Sequence, residues 1–481
     1  MKYLLFGTGD YYERYKKWFS QGEIVALLDN SIEKQNKKID GIQVLSPDEG
    51  VKLEYDKIII LSFYIKAMKK QLLELGVEES CILHFYDLYK IIDVSRYPKN
   101  IQYFGHAKKA VLDNKKEKRI LLLSQDLTLG GPAIALLHVA ETLLKHGVNV
   151  VYASMLDGPL REKLLEKNIP VVVDEKLQIG TMSKIVWLQD FSMILCNTIN
   201  FHIFLSNRNT DIPVIWWLHD SLFFYDGIDK ELLRTIDRKN LKVVSVGSVP
   251  QKAIQKFLPD LEVGRLIYGV EDTTKREESP EFEKSNLNIL NNIEKQNLDL
   301  GNGNKLCFVT IGYIERRKGQ DILVEAIKRL SVEIRKNVIF YLIGQDSSMM
   351  AQQIKRDREM LPEIVMLGTV NRAKIDSILS EADMLICPSR EDPMPTVAAE
   401  AMMHGVPCLL SDATGTIEYI TDGIDGIVFK NENIKELCEK ITWCVENKDK
   451  LSEMGKNAKN VYRKYFSINV FERDLLEMIS V

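Results

Sequence analysis

Two acids, Asp392 and Glu400, stand eight positions apart in the stretch Pro388–Pro407, PSREDPMPTVAAEAMMHGVP. An apolar run, Met384–Cys387, precedes them and reads as a buried strand. A loop carrying Pro388, Pro393 and Pro395 follows, and Thr396–Met403 is rich in helix formers and is stopped by Gly405. The order strand, loop, helix puts Pro395 in the first helical turn, where its missing N–H is no loss. It also turns the free N–H groups of Thr396 and Val397 toward any anion at the helix start. A diphosphate suits such a cradle. Asp392, in the loop, and Glu400, about one turn into the helix, can then accept hydrogen bonds from hydroxyls on two sides of the anion. Sugar hydroxyls at one end and ribose hydroxyls at the other satisfy both. The bland alternative is an ordinary helix with a surface acid.

The stretch resembles the E-x7-E signature of retaining GT-B glycosyltransferases of family 4, with matches at Pro388, Ser389, Glu400, Ala401, Met402, Gly405 and Pro407. Two positions depart from it. Asp392 stands where a glutamate is usual, with Glu391 beside it as the alternative sugar-binding acid, and Pro395 replaces a glycine. The resemblance implies that Met394, Pro395, Thr396, Val397 and Glu400 bind the donor and that Asp392 lies beside the sugar.

A second cluster follows the run Leu306–Gly312. The loop Tyr313–Gly319 holds three successive cations, Arg316, Arg317 and Lys318, at a strand end, where like charges repel unless an anion compensates. A solvated basic loop is the plain alternative. By resemblance Lys318 matches a donor-binding lysine, while Tyr313 occupies the place of an arginine, and Arg317, ahead of Arg316, is the cation that could replace it. Strands are expected at Val338–Ile343, Ile364–Leu367 and Met384–Cys387, and Thr414–Glu418 and Asp422–Gly426 resemble later landmarks of the same family.

Strand-like runs alternate with helical patterns along the whole chain, which argues for parallel sheets of βαβ type. Residues 1–100 read as a Rossmann-like accessory domain: strand Tyr3–Phe6, then Gly7-Thr8-Gly9, a helix through Trp18 and Phe19, strand Ile24–Leu28 ending at Asp29, and a later strand Lys57–Leu61. Gly7-x-Gly9 with an acid 20 residues beyond Gly9 is half a dinucleotide fingerprint, and Tyr12 sits where the third glycine belongs. A structural or docking role and nucleotide binding both stay open. Tyr12-x-x-x-Lys16 mimics the pair of short-chain dehydrogenases but falls too early in the chain to be it. Residues 101–118 read as a basic linker, a solvated connection or an attraction to anionic lipid. Residues 119–272 form a second Rossmann-like unit. Its first strand, Ile120–Leu123, leads through Gly130 and Gly131 into a helix at Ala133–Leu144, and paired glycines there allow close approach of a bound anion. His219 ends the strand Val214–Leu218, at the edge where open α/β sheets place ligands. By resemblance it faces the donor sugar, and a purely structural histidine is the other reading. Residues 273–305 are a polar linker in Glu, Lys and Asn, and 306–481 form the nucleotide-sugar-binding half, its last helix packing back on the second unit.

Composition sets the outer bounds. At 481 residues, 45% hydrophobic and 27% charged, the chain is of ordinary globular type with room for two to four domains of about 100–200 residues each. A net charge of −4 gives no case for nucleic-acid binding. The seven cysteines are scattered and include no C-x-x-C, so reduced thiols in the cytoplasm are expected, without a zinc site or disulfides. No run offers a signal peptide or the ~20 apolar residues of a membrane span, which leaves room for peripheral contact at the inner membrane face.

The expected architecture is GT-B: two Rossmann-like domains facing a cleft, preceded by a third Rossmann-like accessory domain. The resemblance implies transfer of a sugar from a nucleotide-diphosphate-sugar donor to a glycan or lipid-linked acceptor, with retention at the anomeric carbon, as in surface polysaccharide synthesis. No D-x-D triplet occurs, so cationic and backbone groups, without a metal or other cofactor, are expected to stabilise the leaving diphosphate. Two alternatives are a nicotinamide-dependent sugar-nucleotide-modifying enzyme, against which the missing third glycine speaks, and a nucleotide-sugar-binding protein without turnover. The base, sugar, acceptor, linkage and oligomeric state are not legible.

Overall fold

The computed structural model describes residues 1–97, 101–112, 119–188, 191–275 and 305–479. Three sheets organise these residues. Backbone contacts divide the chain into two compact units, Met1–Trp216 with Leu222–Val243 and Ala253–Glu262, and Trp217–Ser221 with Val244–Lys252 and Val263–Val481.

The first sheet contains β1 (Lys2–Phe6), β2 (Glu23–Leu28), β3 (Lys38–Ile39), β4 (Ile42–Leu45), β5 (Lys57–Ile60) and β6 (Ile82–His84) in the order β3-β4-β2-β1-β5-β6. β1 lies parallel to both β2 and β5. Leu4, Leu5, Phe6 and Ile58–Ile60 are wholly buried, so these central strands read as continuous apolar runs rather than as an alternation. The helix expected through Phe19 is shorter. It spans Asp10–Tyr15 and tightens into a 3₁₀ turn at Lys16–Phe19 that drives Trp18 and Phe19 into the core. Tyr12 donates its hydroxyl to Asp40 Oδ2 at 3.0 Å, and Lys16 Nζ meets the same oxygen at 2.7 Å. The Tyr-x-x-x-Lys spacing is therefore a structural clamp.

The second sheet contains β7 (Gln102–Phe104), β8 (Arg119–Ser124), β9 (Asn149–Ser154), β10 (Val171–Val173), β11 (Met193–Asn197), β12 (Val214–Leu218), β13 (Leu241–Ser245) and β14 (Gly264–Arg265), in the order β14-β13-β12-β11-β8-β9-β10-β7. The basic linker expected over 101–118 needs correction. β7 pairs antiparallel with β10 and closes that edge of the sheet, and a helix at Ala107–Leu112 buries Ala107 and Val111. Tyr103 and Phe104, then Ala107 and Val111 one helical turn apart, are apolar enough to pack, and the charge run hid them. Residues 113–118, the remainder of that linker, and 276–304 of the polar linker lie outside the described residues.

Within the first compact unit, the accessory sheet packs on the second sheet through an aromatic and ionic seam. Tyr86 donates to Asn200 Oδ1 at 2.9 Å and lies edge-on to His202, and Phe63 meets Phe224 edge-on at 5.8 Å. Lys90 joins Asp87 at 2.7 Å to Asp229 at 3.0 Å, and Lys17 pairs with Glu175.

The third sheet is parallel throughout: β15 (Leu306–Ile311), β16 (Val338–Ile343), β17 (Ile364–Gly368), β18 (Met384–Cys387), β19 (Cys408–Ser411) and β20 (Ile427–Phe429), in the order β17-β16-β15-β18-β19-β20. The order reverses between β15 and β18. The carboxyl ends of strands at such a switch point are where open α/β sheets bind their ligands. The last helix, Ile468–Ile479, stacks Phe471 on Trp217 with ring centroids 5.9 Å apart, and Val270 exchanges backbone hydrogen bonds with Phe466 and Ile468.

Candidate functional site

The loops after β15 and β18 are fastened to each other. Gly319 has φ +72°, and a Cβ there would lie 2.0 Å from the Pro388 carbonyl oxygen, so only glycine lets the Arg316–Lys318 turn seat on the β18 loop. Arg390 locks the contact. It makes a two-pronged ion pair with Asp321 at 2.8 Å in both arms, meets Glu432 at 2.7 Å, and donates to the Arg316 carbonyl at 2.6 Å. From the other side, Gly415 donates its N–H to the Asp392 carbonyl at 2.9 Å, and Thr416 Oγ1 donates to Met394 Sδ at 3.4 Å. Gly247 lies against Pro393 and Met394, where a Cβ would come within 2.9 Å of the methionine methyl.

Held this way, Lys318 Nζ donates to Asp392 Oδ2 at 2.6 Å. Asp392 is only 4% exposed. Arg317 stands 4.0 Å from the same oxygen, but its guanidinium is engaged by Glu315 at 2.9 Å and by the Glu391 carbonyl at 3.2 Å. Arg317 thus positions the loop, and Lys318 is the cation that meets the acid. Glu391, one residue earlier, contributes its carbonyl to Arg317 and is half-buried.

The helix spans Thr396–Met403, as the sequence suggests, but Pro395, expected in its first turn, instead caps it, with ψ 115° in the extended region. Among the described residues, no acceptor meets the N–H groups of Thr396 and Val397. Glu400, 6% exposed, accepts from Arg372 Nη1 at 2.5 Å through Oε1, while its Oε2 is buried with no partner. Burial raises the Glu400 pKa against the opposing pull of Arg372. Tyr268, 4% exposed, has a second buried unpartnered oxygen, its hydroxyl. Burial, reinforced by the charges of Asp392 and Glu400, holds its phenol well above the usual pKa. Two orphaned polar oxygens under the influence of one acid pair are the mark of a site shaped for a polar ligand.

His219 packs its ring on Trp217 with centroids 4.4 Å apart, and its Nε2 is buried without a partner. Burial lowers its pKa to about 3, so the ring is neutral at physiological pH. Gly130 and Gly131 belong to the other compact unit. Gly130 caps the helix Gly131–Lys145 there, and its N–H is received by Thr128 Oγ1 at 3.3 Å. The second unit brings together Arg317, Lys318, Asp392, Met394, Pro395, Thr396, Val397 and Glu400. Arg372, Arg390 and Tyr268 join them without a sequence signal, since each is recruited by tertiary packing. Among the described residues no group of three or more His, Cys, Asp or Glu side chains is arranged to hold a metal, and no helix is long and apolar enough to cross a membrane.

Three family models match the chain, each over a stretch that holds most of one of the three sheets. That of glycosyl transferases group 1 matches residues 292–461, that of glycosyl-transferase family 4 matches 116–247, and the C2185-like N-terminal model matches 1–83. The chain is a GT-B protein related to the group 1 and family 4 glycosyltransferases, with an additional N-terminal domain. Among solved structures, Anabaena Alr3699/HepE in complex with UDP and glucose matches with a TM-score of 0.62 and 21% identity, over 76% of this chain and 100% of that one. An uncharacterized glycosyltransferase of Methanocaldococcus jannaschii is 27% identical over 32% of this chain and 42% of its own length. An uncharacterized 41.2 kDa protein in the cps region of Klebsiella pneumoniae is 26% identical over 38% of this chain and 49% of its own length. The match thus spans less than half of either curated relative.

Proposed function

We propose that the protein transfers a sugar from a nucleotide-diphosphate-sugar to a glycan or lipid-linked acceptor, with retention of anomeric configuration. The observation that carries this reading is the Lys318–Asp392 pair beside the open start of the Thr396–Met403 helix, with the orphaned Glu400 Oε2 further along the same helix. In this reading the diphosphate sits between Lys318 and the Thr396 and Val397 N–H groups. Glu400 Oε2 accepts from the ribose, and Asp392 accepts from the sugar. As the bond from the anomeric carbon to the β-phosphate oxygen breaks, negative charge grows on that oxygen, and Lys318 and the helix N–H groups stabilise it. The acceptor oxygen forms the new bond on the same face and passes its proton to the departing phosphate. His219, neutral and buried, shapes the sugar side rather than serving as a base. Gly130 and Gly131, paired glycines at a helix start as in family 4, are read as further donor-binding residues.

The UDP and glucose named for the Anabaena structure support a uridine nucleotide-sugar as the first donor to try, and the cps-region relative supports a role in surface polysaccharide synthesis. Seven unpaired cysteines support a reducing compartment. A thermal-shift screen of UDP-, GDP- and ADP-linked sugars tests the reading. A donor at 100 times its Kd should add about 2.7 kcal/mol of apparent stability, and a flat response to every nucleotide-sugar would sink it.

A further inference from the structure

A cavity of about 350 Å³ opens at the carboxyl ends of β1, β2 and β5 in the accessory domain, within the range of about 300–1,000 Å³ typical of small-molecule sites. Its position matches the place where a dinucleotide would lie, but its chemistry does not. Neither lysine nor arginine lines it, and its charged groups are Asp10 and Asp29. Asp29 is already largely used. It accepts from the Thr8 N–H at 3.1 Å, from Thr8 Oγ1 and from Lys34 at 3.4 Å through Oδ2, and from the Ser31 N–H at 2.9 Å through Oδ1, so it staples the glycine loop and keeps one lone pair, on Oδ1, for a ligand hydroxyl. Asp10 opens the following helical turn, where it repels phosphate.

What remains suits an uncharged polyol. Phe63 and Tyr64 offer aromatic surface, and Asp10, Thr8 and Ser62 offer groups that bond hydroxyls. Tyr64 is 72% exposed, a large apolar face left in water. The aromatic wall does not stop at the accessory domain. Phe63 also meets Phe223, itself partly exposed, at 6.1 Å. The accessory cavity therefore adjoins the domain of the second sheet within the same compact unit.

We propose that this cavity binds a sugar unit of the acceptor glycan, so that the accessory domain is an acceptor-recognition module; the acceptor role rests on the glycosyltransferase reading, whereas the sugar site does not. Saturation-transfer NMR on the full chain, with the methyl glycosides of glucose, galactose, mannose and N-acetylglucosamine as probes, tests it. At least one glycoside should bind, should still bind Lys318→Ala, and should bind Tyr64→Ala about tenfold more weakly, the worth of one ring contact. Asp10→Asn is the second variant and should also weaken binding. An unchanged thermal midpoint shows that both variants are folded. No glycoside signal, or a signal indifferent to both variants, would overturn the site. So would a Tyr64-dependent signal from ADP, UDP or NADH in place of the sugars. Donor hydrolysis without a Tyr64-dependent sugar signal removes the site and leaves the glycosyltransferase reading standing. A Tyr64-dependent sugar signal in a chain that hydrolyses no donor removes the acceptor role.

Discussion

Replacing Lys318 with alanine should do two separable things. The first is to folding. The ammonium lies 2.6 Å from a carboxylate that is almost fully buried, and its removal strands that charge. Breaking a buried pair costs about 3–5 kcal/mol, and the low end applies because Arg317 stands 4.0 Å away and can take up part of the charge. The second is to binding. Loss of one charge-assisted hydrogen bond to phosphate is worth about 1.5–3 kcal/mol, or roughly 10- to 150-fold in affinity. The double variant Lys318→Ala/Asp392→Asn separates the two effects, since it removes the stranded charge. Urea unfolding should show most of the stability restored, while calorimetric titration with UDP, GDP and ADP should still show the weakened affinity. The matching nucleosides should bind wild type and variants alike. Equal losses for nucleoside and diphosphate would refute the phosphate assignment, and a double variant as unstable as the single one would refute the stranded-charge argument.

Glu400→Gln should raise the thermal midpoint at pH 7. Its folded pKa is raised by burial, so the folded state binds protons that the unfolded state has released, and stability falls as pH rises from about 4.5 through the folded pKa. The glutamine removes that slope, and a lower midpoint with the slope unchanged would contradict it. Tyr268→Phe should leave the free protein as stable or more so, because the lost hydroxyl has no partner, yet should weaken donor binding in a calorimetric titration; unaltered binding would exclude that hydroxyl from the site. His219, lowered to about 3, and His202, lowered to about 4, stay neutral in the folded chain while their unfolded forms protonate below about 6.5. Stability should therefore decline as pH falls below that value, and the decline should shrink in His219→Phe. A rate profile with a limb near 6.5 that disappears in His219→Gln would instead make His219 a titrating catalyst.

Strands β15 to β18 of the third sheet were legible because they are apolar runs that stop at a glycine or proline: Gly312, Gly344, Gly368 and Pro388. The acid pair and the cationic loop were legible for a related reason: residue types at strand ends show in sequence even when their partners do not. Their partners were hidden. Arg372 reaches Glu400 from 28 positions away, across neighbouring helices, and Tyr268 comes from a segment with no helical or strand pattern. Arg390 lies inside the Pro388–Pro407 stretch, yet its role depends on Asp321 and Glu432, 69 and 42 positions distant. In the accessory domain, sequence spacing marked Asp29 correctly as an acid at a strand end but could not show that Thr8, Ser31 and Lys34 engage it. The short strand Gln102–Phe104 was concealed by the lysines that follow it.

The central claim is that the loops after β15 and β18, with the start of the Thr396–Met403 helix, hold a nucleotide-sugar and labilise it. Chromatographic detection of nucleoside diphosphate released from UDP-glucose and its UDP-, GDP- and ADP-linked counterparts, without added acceptor, measures this directly. The account predicts slow release from at least one donor, persisting in EDTA, reduced in Asp392→Asn and nearly abolished in Lys318→Ala. Release that is indifferent to both substitutions, or absence of release together with an absorbance change on adding NAD or NADP, would contradict it.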